Sequence, residues 1–252
     1  MKRLTNTLFL MLNIAIVSAQ EMSKDNQLVV ADFINCIKYQ KKDELFKKIS
    51  FPFERQYPIP SIKNKQEFLK RYSEVFDDSL TKMIVNSKPS ADWSEVGWRG
   101  IMLFNGDLWL DNDGRLIGIN YQSKVEHKIR EDLIKTEKSK LHESVKVFEQ
   151  PMYILETKQY RIRIDDLGER NYRFASWHLN SSMSTRPDIV IEKGEAISEG
   201  SGGNWRYEFK NGNYVYDCSI IVIGEDNSPP ALLTIYKDSV QVLSQRAKII
   251  VK

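Results

Sequence analysis

The chain has 252 residues, of which 41% are hydrophobic and 28% are charged, and its formal net charge at pH 7 is +3. This length suits one large domain or two small ones. Lysine and glutamate are interspersed along the sequence, which excludes the concentrated basic face that nucleic-acid binding needs.

The first 19 residues have the pattern of a secretory signal peptide. Two basic residues precede the short apolar stretch Leu8–Val17, and Val17-Ser18-Ala19 has the small side chains of a cleavage site. The stretch is too short, and too interrupted by Asn13, to cross a membrane as a helix, so we expect no transmembrane segment. We therefore expect an exported protein, periplasmic or extracellular, whose mature chain begins near Gln20.

Residues 20–123 are predicted to form an α+β domain that begins with helices. Asp25–Lys48 is the first, because its apolar residues recur at the spacing of a buried helical stripe. A second helix starts after Asn64, which is suited to cap it and is followed by Glu67 three residues on. A shorter helix covers Ser79–Val85.

Asp92–Tyr121 is predicted to form three short antiparallel strands. Asn105-Gly106 and Asp113-Gly114 are the dipeptides that two-residue type I′ turns prefer. With both turns in place, Met102 lies opposite Trp109, and Trp109 lies opposite Gly118. One face of this sheet is then aliphatic and must be covered by the helices; it comprises Ile101, Leu103, Leu108, Leu110, Ile117 and Ile119.

The other sheet face is the best candidate for a binding site in the sequence. It carries large aromatic residues and Leu116 among glycines, and the candidate residues in this region are Trp93, Trp98, Arg99, Met102 and Trp109. A groove for a partner is one interpretation, since tryptophan and arginine dominate binding energies. The other, which we favour, is internal packing against the rest of the chain, with Trp109 at the centre of the sheet.

The order of helices and strands over residues 27–122 resembles the cone-shaped fold shared by ketosteroid isomerase and nuclear transport factor. The resemblance implies a larger sheet, to which Phe51–Tyr57 would add an edge. Enzymes of that family hold a catalytic carboxylate or histidine inside the cone. In this sequence the corresponding interior has no histidine, and Asp107 and Asp111 lie near turns.

Residues 124–150 are predicted to form a charged helical connector, and its charges are expected to face solvent. From Pro151 the hydrophobic period changes from 3.6 to 2, so residues 151–252 are predicted to form an all-β sandwich or barrel. Lys193-Gly194 is predicted to be one of the breaks between its strands. Arg161, Arg163 and Arg173 are predicted to lie on the solvent face of a hairpin, neutralised by nearby acids, rather than to bind an anion.

The segment Gly200–Asn204 is predicted to be a glycine-rich turn, because a strand pattern follows it where a phosphate loop needs a helix. Its Ser201-Gly202 resembles a turn of the β-barrel inhibitors of c-type lysozyme. Trp205 stands where that family has tyrosine, and the family's cysteine pair is missing.

The cysteines and histidines predict no metal centre and no cofactor. Cys36 and Cys218 are too few for a structural zinc site. A disulfide between them would join the two halves, but two separate buried thiols are the favoured interpretation. His127 and His142 have no acidic or thiol partner in register.

The sequence therefore predicts an exported, non-enzymatic binding protein. Its ligand is expected to be a protein, in an inhibitor or immunity-type role, or a component of the cell envelope. The alternative is a hydrolase or isomerase that uses a pocket in the N-terminal cone.

The first prediction concerns processing. N-terminal sequencing of the exported protein is expected to start near Gln20, because signal peptidase cleaves after small residues such as Ala19. Recovery of the chain from the cytoplasm with Met1 intact would contradict it.

Overall fold

The computed structural model describes residues 22–200 and 202–251, so the predicted signal peptide lies outside the described residues. The α-helices are α1 (Lys24–Lys38), α2 (Lys42–Lys47), α3 (Lys65–Val75), α4 (Asp78–Asn86) and α5 (Lys124–Ser139). The strands are β1 (Trp93–Glu95), β2 (Ile101–Leu103), β3 (Leu108–Leu110), β4 (Leu116–Ile119), β5 (Gln150–Glu156), β6 (Tyr160–Asp166), β7 (Tyr172–His178), β8 (Ile189–Glu199), β9 (Asn204–Asn211), β10 (Tyr214–Ile220), β11 (Ala231–Lys237) and β12 (Val240–Val251).

The helices of the N-terminal half begin at residues that cap them. The Asn64 side chain accepts a hydrogen bond from the Glu67 backbone N–H at 3.0 Å, which confirms the predicted start of α3. Asp77 caps α4 in the same way, at 2.8 Å from the Leu80 N–H. The single helix predicted over Asp25–Lys48 is two helices, because the chain turns at Gln40, whose φ is +52°.

The N-terminal sheet has four antiparallel strands in the order β1-β2-β3-β4, one more than predicted. The additional strand β1 pairs with β2 and places Trp93 opposite Leu103. The predicted register is confirmed, since Met102 pairs with Trp109 and Trp109 pairs with Gly118.

The turns that produce this register are not the predicted type I′ turns. Leu103 and Leu108 are the last pair between β2 and β3, so the loop has four residues, with positive φ at Phe104 and Gly106. The next loop is held by Asp111, whose carboxylate accepts hydrogen bonds from the N–H groups of Asp113 (3.0 Å) and Arg115 (2.8 Å). The hydrogen bonds from backbone N–H groups to the Asp111 carboxylate therefore stabilise this turn, in addition to the Asp113-Gly114 dipeptide.

A β-bulge at the start of β4 reverses which of Leu116 and Ile117 faces the core. Leu110 pairs with Leu116 while Trp109 pairs with Gly118, which leaves Ile117 as the extra residue. Leu116 is fully buried and Ile117 is 44% exposed, so the predicted assignment of these two residues was wrong. The other five predicted aliphatic residues are buried in the core under the helices.

The segment predicted to extend the sheet does not do so. Phe53, within Phe51–Tyr57, forms an isolated bridge with Ile62, and Ile49 bridges Leu116 at the edge of β4. Cys36 is buried in the core of this half, and Cys218 is buried in the other half. Both are free thiols, as favoured from the sequence.

The eight strands β5–β12 form a closed antiparallel barrel in which consecutive strands are neighbours and β12 pairs with β5. Of the two predicted architectures, sandwich and barrel, the barrel is observed. The predicted break at Lys193-Gly194 is instead a bend within β8, with Lys193 at φ +63°. A Cβ at Gly194 would lie 2.2 Å from the Phe209 ring, so only glycine fits at this corner of the barrel.

Helix α5 is hydrogen-bonded to both halves of the chain, contrary to the predicted solvent-facing connector. Near its start, the fully buried Glu126 accepts a hydrogen bond from Arg55 Nε at 2.7 Å. Arg55 also donates to the Ile119 carbonyl at 2.6 Å, so the ion pair ties α5 to β4. Near its end, Glu137 accepts hydrogen bonds from the Tyr57 hydroxyl at 2.8 Å and from Arg163 of the barrel.

Within the described part of the chain, none of the helices combines the length and the apolar character needed to cross a membrane.

The bulge in β4 generates the second prediction. Leu116→Ala is expected to lower the free energy of unfolding by about 2–5 kcal/mol, because it leaves a cavity in the core. Ile117→Ala is the matched control and is expected to cost less than about 1 kcal/mol, because this residue is exposed outside the core. Urea unfolding measures both changes. Equal losses, or a larger loss for Ile117→Ala, would contradict the bulge.

Candidate functional site at the open end of the barrel

The barrel encloses an apolar cavity of about 310 Å³ near one of its ends. Tyr214 begins β10 and Ile235 lies close to the end of β11, so this is the end where β9 turns into β10 and β11 turns into β12. The aliphatic residues that line the cavity are Ile162, Ile189, Leu233, Ile235, Val242 and Leu243.

Aromatic rings form another part of the cavity wall. The ring centroids of Phe174 and Tyr216 are 5.4 Å apart, and those of Tyr214 and Tyr216 are 6.4 Å apart. Tyr160 and Ser176 complete the lining, so its polar groups are hydroxyls and none of its side chains is charged. Burial, followed by the neighbouring Tyr214 and Tyr160, raises the pKa of Tyr216, which keeps this phenol neutral.

Beyond the cavity, the interior of the barrel is filled by packed side chains, three tyrosines among them. The Tyr207 ring centroid lies 5.7 Å from that of Tyr153 and 5.2 Å from that of Tyr172, and Tyr207 is only 3% exposed. Burial raises the pKa of both Tyr207 and Tyr153, so both are neutral at physiological pH. The cavity therefore opens at one end and is closed by side chains at the other.

The outer surface of the cavity wall is held by buried ion pairs. Asp165 is fully buried, and one of its carboxylate oxygens accepts hydrogen bonds from Arg163 Nε (2.9 Å) and Arg173 Nη2 (2.6 Å). Arg163 also pairs with Glu137 of α5. Burial alone would lower the pKa of Arg163, but the two carboxylates outweigh it and raise this pKa.

The segment that follows α5 completes this buried cluster. Arg173 donates to the backbone carbonyls of Val145 (2.7 Å) and Val147 (2.8 Å). The Phe148 ring lies 4.7 Å from the Arg163 guanidinium carbon. The prediction that Arg163 and Arg173 face solvent was therefore wrong, because α5 and the segment after it cover this side of the hairpin. Of the acids expected in the same turn, Asp165 neutralises Arg163 and Arg173, whereas the Asp166 carboxylate accepts a hydrogen bond from the Gly168 N–H instead.

The structure divides the aromatic residues predicted as a binding site. Trp93 lies in the core on the opposite face of the sheet, where its indole N–H donates to Ser87 Oγ at 2.9 Å. Trp98 is 68% exposed, within a 3-10 helix that also contains Arg99. The Arg99 guanidinium carbon lies 5.9 Å from the Trp109 ring centroid, and Trp109 pairs with Met102.

Trp109 is not the core residue that was predicted. It is half-buried on the outer face of the sheet, where its indole N–H donates to the Gly106 carbonyl at 3.1 Å. Phe104 on this face is 40% exposed. The expected burial of the whole face inside the chain is therefore not observed.

The glycine-rich segment is a turn between β8 and β9, as predicted, with positive φ at Gly200 and Gly203. Ser201 lies outside the described residues. Asn204 fixes the base of the turn, because its side-chain oxygen accepts hydrogen bonds from the N–H groups of Val222 (2.8 Å) and Ile223 (2.9 Å).

Sequence reasoning did not identify the barrel cavity. Its lining comes from six strands, and in the sequence most of these residues are the ordinary inward positions of alternating strands. Within residues 22–200 and 202–251, no group of three or more histidine, cysteine, aspartate or glutamate residues is placed to hold a metal ion.

Comparisons with protein-family models, with curated proteins and with solved structures found no match to this chain.

The buried cluster generates the third prediction. Asp165→Asn is expected to lower the free energy of unfolding by about 3–5 kcal/mol, because it removes a negative charge that lies between two buried guanidinium groups. The control is Asp132→Asn, which breaks a surface ion pair of α5 with Lys128 (3.0 Å) and is expected to cost less than about 1 kcal/mol. Urea unfolding gives both values. Similar losses for the two variants would contradict the structural role of the cluster.

Proposed function

We propose that this chain is an exported, non-enzymatic binding protein and that the open end of its barrel holds an apolar small molecule. The observation that carries the proposal is the cavity of about 310 Å³, which has no charged side chain in its lining and is closed at its far end. Ligand pockets are typically concave, mostly apolar and preformed, with a few polar groups that orient the ligand.

The cavity volume limits the size of the ligand. A dry protein cavity of about 150 Å³ is known to hold benzene, and pockets for larger ligands begin at about 300 Å³. The cavity in this barrel therefore suits a ligand of two fused rings, or a chain of about twelve carbon atoms. Because a closed barrel is rigid, little ordering of the protein opposes binding.

The compartment supports a ligand from the cell envelope. The signal-peptide pattern of residues 1–19 directs the chain out of the cytoplasm. An apolar molecule in that compartment is poorly soluble in water, and a closed barrel shields it. Of the two ligand classes expected from the sequence, a protein or a component of the cell envelope, we therefore propose a component of the cell envelope.

The exposed aromatic face is the second candidate and would bind a protein partner. It is supported by the 68% exposure of Trp98 and by the contact of Arg99 with Trp109. We place it second because this face is open, whereas the barrel surrounds its ligand on all sides but one.

The interior of the N-terminal half favours binding by the barrel over catalysis in an N-terminal pocket. The space between the helices and the sheet there is filled by aliphatic and aromatic side chains. Asp111, one of the two carboxylates considered for a catalytic role, is hydrogen-bonded to its own turn and paired with Arg115 at 3.3 Å. It is therefore occupied in holding the turn.

We also propose that the chain consists of a cone-like α+β domain at 20–123, a connector at 124–150 and a barrel domain at 151–252. This division is supported by two hydrophobic clusters, one confined to residues 22–121 and the other to residues 152–249. A third cluster packs the connector against the barrel. The connector in this proposal is fixed to both domains through α5.

The fourth prediction tests the binding site with the neutral fluorescent probe N-phenyl-1-naphthylamine and the mature chain. Ile235→Trp is expected to weaken probe binding at least tenfold, because the indole fills the cavity. Val222→Trp is the matched control: it adds the same ring at a position that is 66% exposed, on a turn at the other end of the barrel, and is expected to leave binding unchanged.

Two further variants make this experiment decisive. Leu243→Phe fills the cavity less and is used if the urea midpoint of Ile235→Trp shows a folding defect. Trp98→Ala separates the two candidate sites, since a loss of probe binding in this variant alone would assign the probe to the aromatic sheet face. Equal probe binding by wild type and both cavity-filling variants would refute the barrel site.

A further inference from the structure

The register of the barrel strands places a lysine at the opening of the cavity. Tyr214 lines the cavity and lies directly opposite Lys237, so both side chains project from the same face of the sheet. Along β11, Leu233 and Ile235 also line the cavity, and Lys237 continues this alternation by two residues. The Lys237 ammonium nitrogen lies 5.5 Å from the Tyr214 ring centroid.

Two carboxylates at this end of the barrel, those of Asp238 and Asp188, accept hydrogen bonds from other groups of the chain. The Asp238 carboxylate accepts hydrogen bonds from Asn213 Nδ2 at 3.0 and 3.1 Å. Asp188, close to the start of β8, accepts a hydrogen bond from the His178 backbone N–H at 2.9 Å. Among the described residues, Lys237 takes part in no ion pair within 4.0 Å, so its positive charge is available at the opening.

A second side chain at this opening is His178. It lies directly opposite Tyr160, which lines the cavity, and the two ring centroids are 5.8 Å apart. The opening thus carries the Lys237 ammonium and the His178 imidazole beside a neutral interior, together with the carboxylates of Asp188 and Asp238, which accept hydrogen bonds from neutral groups of the chain. The ammonium of Lys237 projects from the same face as the cavity-lining Tyr214, and this position suits an amphiphile that has its tail inside and an anionic group at the opening.

We propose that the ligand of the barrel is a monocarboxylate amphiphile whose tail fills the cavity and whose carboxylate binds Lys237. This inference rests on the proposed function of the cavity and specifies its ligand class. The volume of about 310 Å³ is roughly twice that of the cavity that holds benzene, which sets the tail at about twelve carbon atoms or fewer. A cationic amphiphile of the same length would be repelled by Lys237.

The test compares decanoate with 1-decanol, two probes that have the same carbon chain and differ in charge. The measurement is displacement of N-phenyl-1-naphthylamine by each compound, from the mature wild-type chain and from the Lys237→Gln variant. It is made at about pH 7.5, where a carboxylate is ionised. Lys237→Gln is expected to weaken decanoate binding by roughly threefold to fivefold, which is the effect of one partly exposed ion pair. Decanol binding is expected to change by less than about twofold.

Two controls complete the experiment. Lys248→Gln removes an exposed lysine from β12, next to the inward-facing Ala247, and is expected to change the binding of neither probe. Lys237→Arg keeps the positive charge and is expected to retain most of the preference for decanoate.

The outcomes separate this inference from the proposed function. If Lys237→Gln weakens decanoate and decanol equally, or weakens neither, the role of Lys237 is refuted while the cavity site stands. If neither compound displaces the probe from the wild-type chain, the ligand class is refuted. If the probe itself fails to bind the wild-type chain, the proposed function is refuted as well.

Discussion

The buried charges around Asp165 are the constraint on which the arrangement of this chain depends. Arg163 and Arg173 come from adjacent strands of the barrel, and their two positive charges are balanced by Asp165 and by Glu137 of α5. A buried guanidinium group is costly unless it is paired and hydrogen-bonded. The barrel can therefore bury these two strands only when α5 and the segment after it are in place.

Helix α5 transmits this requirement to the N-terminal half. Its first turn holds Arg55 through Glu126, and its last turn holds Arg163 through Glu137. Between them, Arg130 donates a hydrogen bond to the Tyr57 carbonyl at 2.8 Å and another to the side-chain oxygen of Gln150 at the start of β5. A single helix thus uses buried polar contacts, at intervals of about one to two turns, to fix both halves of the chain.

The same two strands connect this cluster to the candidate site. Because side chains alternate along a strand, β6 presents Arg163 and Asp165 to α5 and presents Ile162 to the cavity. β7 does the same with Arg173 and Phe174. The charged layer outside and the apolar cavity inside are thus two faces of one hairpin.

The amino-acid pattern was sufficient for those features that depend on neighbours in sequence. The cap at Asn64 is local, and the pairing of Met102 with Trp109 and of Trp109 with Gly118 follows from short turns. The change of hydrophobic period at Pro151 correctly indicated an all-β second half. The bulge at Ile117 was not visible, because strict alternation along a strand has no place for the extra residue that a bulge inserts.

Features that depend on contacts between distant segments required the folded chain. An alternating pattern shows that Arg163 and Ile162 lie on opposite faces, but it does not show which face a helix covers. The arginines were assigned to solvent because charge is normally solvated, whereas Glu137 and Asp165 provide the counter-charges that permit their burial. Closure of the barrel by β12 and β5 is equally non-local, since about ninety residues separate the paired segments, and only that closure converts ordinary inward-facing residues into a cavity.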